Sequence, residues 1–140
     1  MEERDKGSVI GMMKVFYSSE AVYTNGSKEV FESDFKSCVS ENPFAEGFVF
    51  EEGENLLGYA MVAKSFSTEF GKQCIWLEDI FVKAEHRGKG VGSAFLEFAE
   101  SRYPDAVLRL EIEPENESAI RLYQKSGFDF LPYSEMIKPL

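Results

Sequence analysis

The chain has 140 residues, 44% of them hydrophobic and 14% aromatic, which fits one domain with its own core over residues 1–140 and excludes a disordered segment. Twenty-five acidic side chains against fifteen Lys and Arg leave a net charge of −10. A field of that sign repels phosphate backbones and so excludes general nucleic-acid binding, while it suits a cationic small molecule. A single histidine, His86, excludes a multi-histidine zinc site, and no metal-ligand cluster is visible. Cys38 and Cys74 read as buried, inert thiols. The opening MEERDKGS is charged rather than apolar, and no run approaches the roughly 18 apolar residues of a membrane span. The expectation is a soluble, cytoplasmic protein.

In chain order, Val9, Met12, Met13 and Phe16 define the apolar face of a helix over Lys6–Tyr17. Ser27 is placed to cap a second helix striped by Phe31, Phe35, Cys38 and Val39, which Asn42-Pro43 ends. Strands follow at Gly47–Glu52 and Leu56–Lys64, joined by a hairpin-like turn. Cys74–Val82 (CIWLEDIFV) is apolar on both faces apart from Glu78 and Asp79, the pattern of a central strand covered on both sides. Strand alternation turns Asp79 away from Glu78, toward a structural role. A helix with Val91, Phe95, Phe98 and Ala99 on one side stops near Tyr103-Pro104. Then come a strand at Val107–Ile112, a helix from the cap Asn116 to Ser126-Gly127, and two short strands near Phe128–Leu131 and Glu135–Lys138. The order predicts an α/β domain with a mixed sheet and helices on both faces.

The segment His86-Arg87-Gly88-Lys89-Gly90-Val91-Gly92 joins a strand to a helix. Its glycines let backbone N–H groups turn toward an anion, and the helix adds its positive end. Lys83, Arg87 and Lys89 outnumber Glu85 here, a basic island in an acidic chain. The residues match neither G-x-x-x-x-G-K-[ST] nor a dinucleotide fingerprint.

Arg87-x-x-Gly90-x-Gly92 after LEDIFV resembles the acyl-CoA signature of the GNAT superfamily of N-acetyltransferases. The resemblance continues through Asn116-x-x-Ala119-x-x-x-Tyr123-x-x-x-Gly127-Phe128. LEDIFV, HRGKGVG, NPF and LLGYAMV look like the spermidine/spermine acetyltransferase branch. The resemblance implies a mostly antiparallel central sheet; family members usually open with a strand, and only MEERD precedes the first helix here, so the expectation is either a sheet without that strand or a sequence that starts at an internal Met. It implies acetyl-CoA as cosubstrate, with the pantetheine arm on the backbone of Ile80 and Val82 and near Asn116. Pyrophosphate would sit on Arg87, Gly88, Lys89, Gly90, Val91 and Gly92.

Glu78 is then the candidate base, or else an electrostatic lure for a cationic amine. Tyr123 is the candidate acid for the departing thiolate, or else part of a core stripe with Ile120. The implied reaction acetylates a primary amine of a small molecule, polyamine-like or otherwise cationic, by direct attack in a ternary complex. A non-catalytic acyl-CoA-binding module and a transferase for peptide amines are the alternatives. A homodimer is expected by the same analogy; nucleic acid, membrane and metal are not.

Overall fold

The computed structural model describes residues 1–139. After a 3-10 turn at Glu3–Asp5 come α1 (Lys6–Phe16) and α2 (Lys28–Val39), then β1 (Ala45–Glu52), β2 (Asn55–Ser67) and β3 (Lys72–Val82). A second 3-10 turn at Ala84–His86 leads into α3 (Val91–Arg102), β4 (Val107–Arg109) and α4 (Glu117–Lys125). The sheet has the order β1-β2-β3-β4, antiparallel except for the parallel pair β3–β4. Chemistry-bearing residues therefore gather where β3 leads into α3 and β4 into α4.

Both faces of the sheet are covered because β2 and β3 carry apolar residues on both. On one face, Val9, Met12 and Met13 of α1 and Phe31 and Phe35 of α2 pack against Tyr59, Met61 and Phe81. On the other, Phe95, Leu96 and Ala99 of α3 pack against Ala60, Val62, Ile75 and Leu77. Full burial of each Val, Leu, Ile, Phe or Met side chain among these contributes about 1.5–3 kcal/mol. Glu46 of β1 ties the far end of α3 to the sheet, meeting Lys64 at 2.5 Å, Arg102 at 2.9 Å and the Tyr103 hydroxyl at 2.8 Å.

β3 changes character at Glu78. Met61 of β2 lies opposite Asp79, and the next residue, Val62, lies opposite Leu77, so Glu78 is an unpaired bulge residue. A bulge reverses the side-chain phase of the strand and bends it. Ile75 and Leu77 accordingly face the α3 core, whereas Phe81, beyond the bulge, faces the α1–α2 core.

Three expectations are corrected. The strand expected over Val107–Ile112 is only β4, Val107–Arg109, whose partners are Cys74, Ile75 and Trp76. The bend at Glu78 takes β3 out of register beyond Trp76, and Leu110–Ile112 have nothing to pair with. The strands expected at Phe128–Leu131 and Glu135–Lys138 do not form; both segments are irregular. Alternation supplies a face but not a partner, Pro132 removes a ladder donor, and the adjoining sheet edge ends at Arg109.

Candidate active site

Beyond Trp76 and Arg109, β3 and the chain leaving β4 splay apart around a cleft of about 1200 Å³. The Arg109 guanidinium stacks on the Trp76 ring, 4.4 Å from its centroid, at the last shared rung. One wall is the far half of β3, Glu78–Val82; the opposite wall is Glu111–Glu113 with Asn116, Ala119, Leu122 and Tyr123 of α4. The chain after α1, Ser19–Thr24, and Glu135 of the tail close further sides.

The β3 wall has a free backbone edge. The Lys83 N–H donates to the Leu57 carbonyl of β2 at 2.9 Å, so alternation turns the peptide groups of Val82 and Ile80 away from β2, into the cleft. The Arg87 Nε donates to the Val82 carbonyl at 2.9 Å, with the guanidinium over the Phe81 ring. For Val82 this is a correction, since only its N–H stays open for an extended ligand; Ile80 keeps both groups.

At the base of the cleft, Gly88 and Gly90 adopt φ +71° and +83°, backbone that side chains disfavour. Gly92 is needed for contact, because a Cβ there would lie 3.1 Å from a Leu122 methyl. No side chain caps α3, and its first turn holds no acid. The earliest intrahelical bond into it is from the Ala94 N–H to the Gly90 carbonyl, so the N–H groups of Val91, Gly92 and Ser93 have no intrahelical partner. In α2 the Ser27 hydroxyl accepts from Val30 N–H at 3.2 Å, and in α4 the Asn116 carboxamide accepts from Ala119 N–H at 3.3 Å.

Of the residues singled out in the sequence, Glu78, Ile80, Val82, Arg87, Gly88, Gly90, Val91, Gly92, Asn116 and Tyr123 all line this cleft. Lys89 does not. Its side chain borders a separate groove with Phe48, Phe50 and Phe98, because the positive φ of its glycine neighbours turns it toward β1.

Glu78 is accessible from the cleft, yet the surrounding protein displaces enough water to raise its carboxyl above the usual range; the charges of Glu135 and Asp34 add to this. Burial pushes the Tyr123 phenol up to about 12, so it stays protonated at neutral pH. Three acids were not assigned chemistry from the sequence. A hydrogen bond shared with Glu135, with partial burial and like charge behind it, pushes Glu111 up to about 7. Asp79, 3% exposed, accepts from the Tyr17 hydroxyl at 3.0 Å and the Tyr59 hydroxyl at 2.8 Å. Both thiols are free, and burial holds Cys38 up at about 11. Among the described residues no metal-holding group of His, Cys, Asp or Glu occurs, and no helix is long and apolar enough to cross a membrane.

Residues 12–128 match the acetyltransferase (GNAT) family. The chain is 30% identical over 139 residues to the thialysine N-epsilon-acetyltransferase of Sus scrofa, covering 90% of this chain and 79% of that one. It is 30% identical over 110 residues to the spermine/spermidine N(1)-acetyltransferase of Bacillus subtilis, covering 74% of this chain and 70% of that one. A crystal structure of a possible acetyltransferase from Clostridium difficile 630 superposes with a TM-score of 0.81 at 15% identity, over 98% of this chain and 92% of that one. The chain belongs to the acetyltransferase (GNAT) family and is an N-acetyltransferase.

Proposed function

We propose that this enzyme moves the acetyl group of acetyl-CoA to a primary amine of a small cationic molecule, polyamine-like or an aminoalkyl amino acid. The observation that carries the reading is the splayed cleft, with free strand edge, uncapped helix and acids around one space. The open peptide groups of Ile80 and the Val82 N–H suit an amide-bearing pantetheine arm. The uncapped turn of α3 suits pyrophosphate, as does Arg87, which has no carboxylate partner among the described residues. Asn116 borders the same path while capping α4.

An amine of pKa near 10.4 is about one part in 10³ neutral at pH 7, and only the neutral form attacks a thioester. Glu78 removes that proton, directly or through water; the nitrogen then bonds to the thioester carbonyl carbon. The carbon–sulfur bond breaks as Tyr123 gives its proton to the leaving sulfur; the nitrogen sheds its second proton to become the amide, one of the two nitrogen protons returns to the phenolate by way of Glu78 and water, and the other leaves to solvent. The raised Glu78 carboxyl is a better proton acceptor than an ordinary one. Glu111, Glu113 and Glu135 face the same space and favour a cationic acceptor over a neutral one. Two relatives are named for thialysine and for spermine/spermidine, which fits that class.

The test is thiol release from acetyl-CoA across polyamines, diamines, lysine analogues and peptides. Turnover selective for the small cationic amines is the expected result. Turnover confined to peptide amines overturns the acceptor class, and failure to bind acetyl-CoA overturns the whole reading.

A further inference from the structure

Asp79 is a buried carboxylate with no cationic partner among the described residues. Such a group is costly to bury unless its hydrogen bonds are satisfied. What satisfies it is two phenols from different elements: Tyr59 of β2, fully buried, and Tyr17, the residue that ends α1. The other titratable groups whose charge reaches it are Asp34 of α2 and Glu78 beside it on β3. All are acids, so no ion pair accounts for the cluster.

Its position accounts for it. The chain leaves Tyr17 directly into Ser19–Thr24, a wall of the cleft, and Asp79 directly follows the bulge residue Glu78. The Tyr17 ring is separately held by edge and tilted contacts with Phe16 and Phe31, centroids 5.3 and 5.2 Å away.

We propose that Asp79 is a positioning residue: by accepting the Tyr17 and Tyr59 hydroxyls together, it locks the cleft wall that follows α1 to the bulge that presents Glu78. The link to amine binding rests on the function proposed above; the mechanical link does not. Beside the apolar packing of Phe16 on Phe81, the bond from Tyr17 to Asp79 is the one hydrogen bond among the described residues that ties the start of this wall to the strand. Removing it frees the wall while the ring stays packed.

Tyr17→Phe deletes only the hydroxyl. Its expected result is faster amide hydrogen exchange over residues 18–26, a KM for the amine raised about 10-fold, kcat within about 3-fold, and unchanged acetyl-CoA affinity. Asp79→Ala, which removes both acceptor oxygens, should produce the same loosening, and its combination with Tyr17→Phe should be no worse than Asp79→Ala alone, because both remove the Tyr17–Asp79 contact. Unchanged exchange over 18–26 in Tyr17→Phe overturns the inference, as do additive effects in the double variant. Exchange is read without substrate, so absence of turnover with every amine would remove the proposed function while leaving this inference decided by the exchange data.

Discussion

The two halves of β3 are one strand in sequence and two materials in the structure. From Cys74 to Trp76 it has a neighbour on each side, and Ile75 and Leu77 are sealed against α3. From Asp79 to Val82 it has β2 alone, with the Ile80 peptide groups and the Val82 N–H open on the other side and carboxylates at the turning point. The first half supplies rigidity; the second supplies hydrogen-bonding capacity that the fold itself leaves unused. A binding edge arises by withdrawing one strand from an otherwise completed sheet, and Glu78 sits at the changeover.

Substitutions on either side of that changeover should behave differently. The largest effect is expected for Glu78→Gln, with kcat/KM at pH 7 down about 10³-fold. The wild-type activity should fall as pH drops through the raised Glu78 carboxyl value, and this limb should vanish in the variant. A raised amine KM with kcat intact would instead make Glu78 an electrostatic attractor.

Next is Asp79. Burial pushes its carboxyl up to about 6, against the opposing pull of the tyrosine hydrogen bonds. Because the folded value exceeds the unfolded one, this group favours folding most below about pH 4 and loses that contribution as pH rises through about 6. The shift corresponds to about 3 kcal/mol. Asp79→Asn should therefore gain stability relative to wild type by up to that amount between pH 4 and 7, measured by urea unfolding; a flat difference would refute the assignment.

Tyr123→Phe should slow turnover around 10²-fold in steady-state assays with acetyl-CoA affinity little changed; unaltered turnover removes the acid. The smallest effect belongs to the paired half. Ile75→Val should cost about 1 kcal/mol of stability and leave both KM values alone. If it disturbs either, the halves are not separable.

The helices and the first three strands were legible from periodicity, and α1 and α2 bury the leading residues of the stripes that spacing marks; in α3, Phe95 and Ala99 are buried together with Leu96, while Phe98, which spacing puts on the same side, is exposed. The glycine loop was legible because positive φ at Gly88 and Gly90 demands a residue type that sequence displays. The bulge was hidden: CIWLEDIFV is apolar in both phases, so a reversal of phase leaves no trace in its pattern. The approach of Glu135 to Glu111 is tertiary, between residues that no periodicity connects. Asp79 could be placed on the face opposite Glu78, but the phenols that hold it come from α1 and β2. The tail's alternation over Phe128–Leu131 and Glu135–Lys138 has the look of strand, but sequence shows a face and never a neighbour, and no strand forms there.

The uncapped first turn of α3 also bears on the energetics of the whole molecule. α2 and α4 complete their N-termini with their own side chains, Ser27 and Asn116, whereas α3 leaves that task to whatever anion arrives. An anion that fills the turn binds the folded chain and not the unfolded one, so unfolding temperature becomes a titration of its concentration. At a hundred times its dissociation constant the gain is about 2.7 kcal/mol, more than the roughly 1 kcal/mol typical of an ordinary side-chain cap. With the pyrophosphate of the proposed cosubstrate as that anion, cosubstrate supply and resistance to unfolding become thermodynamically one variable.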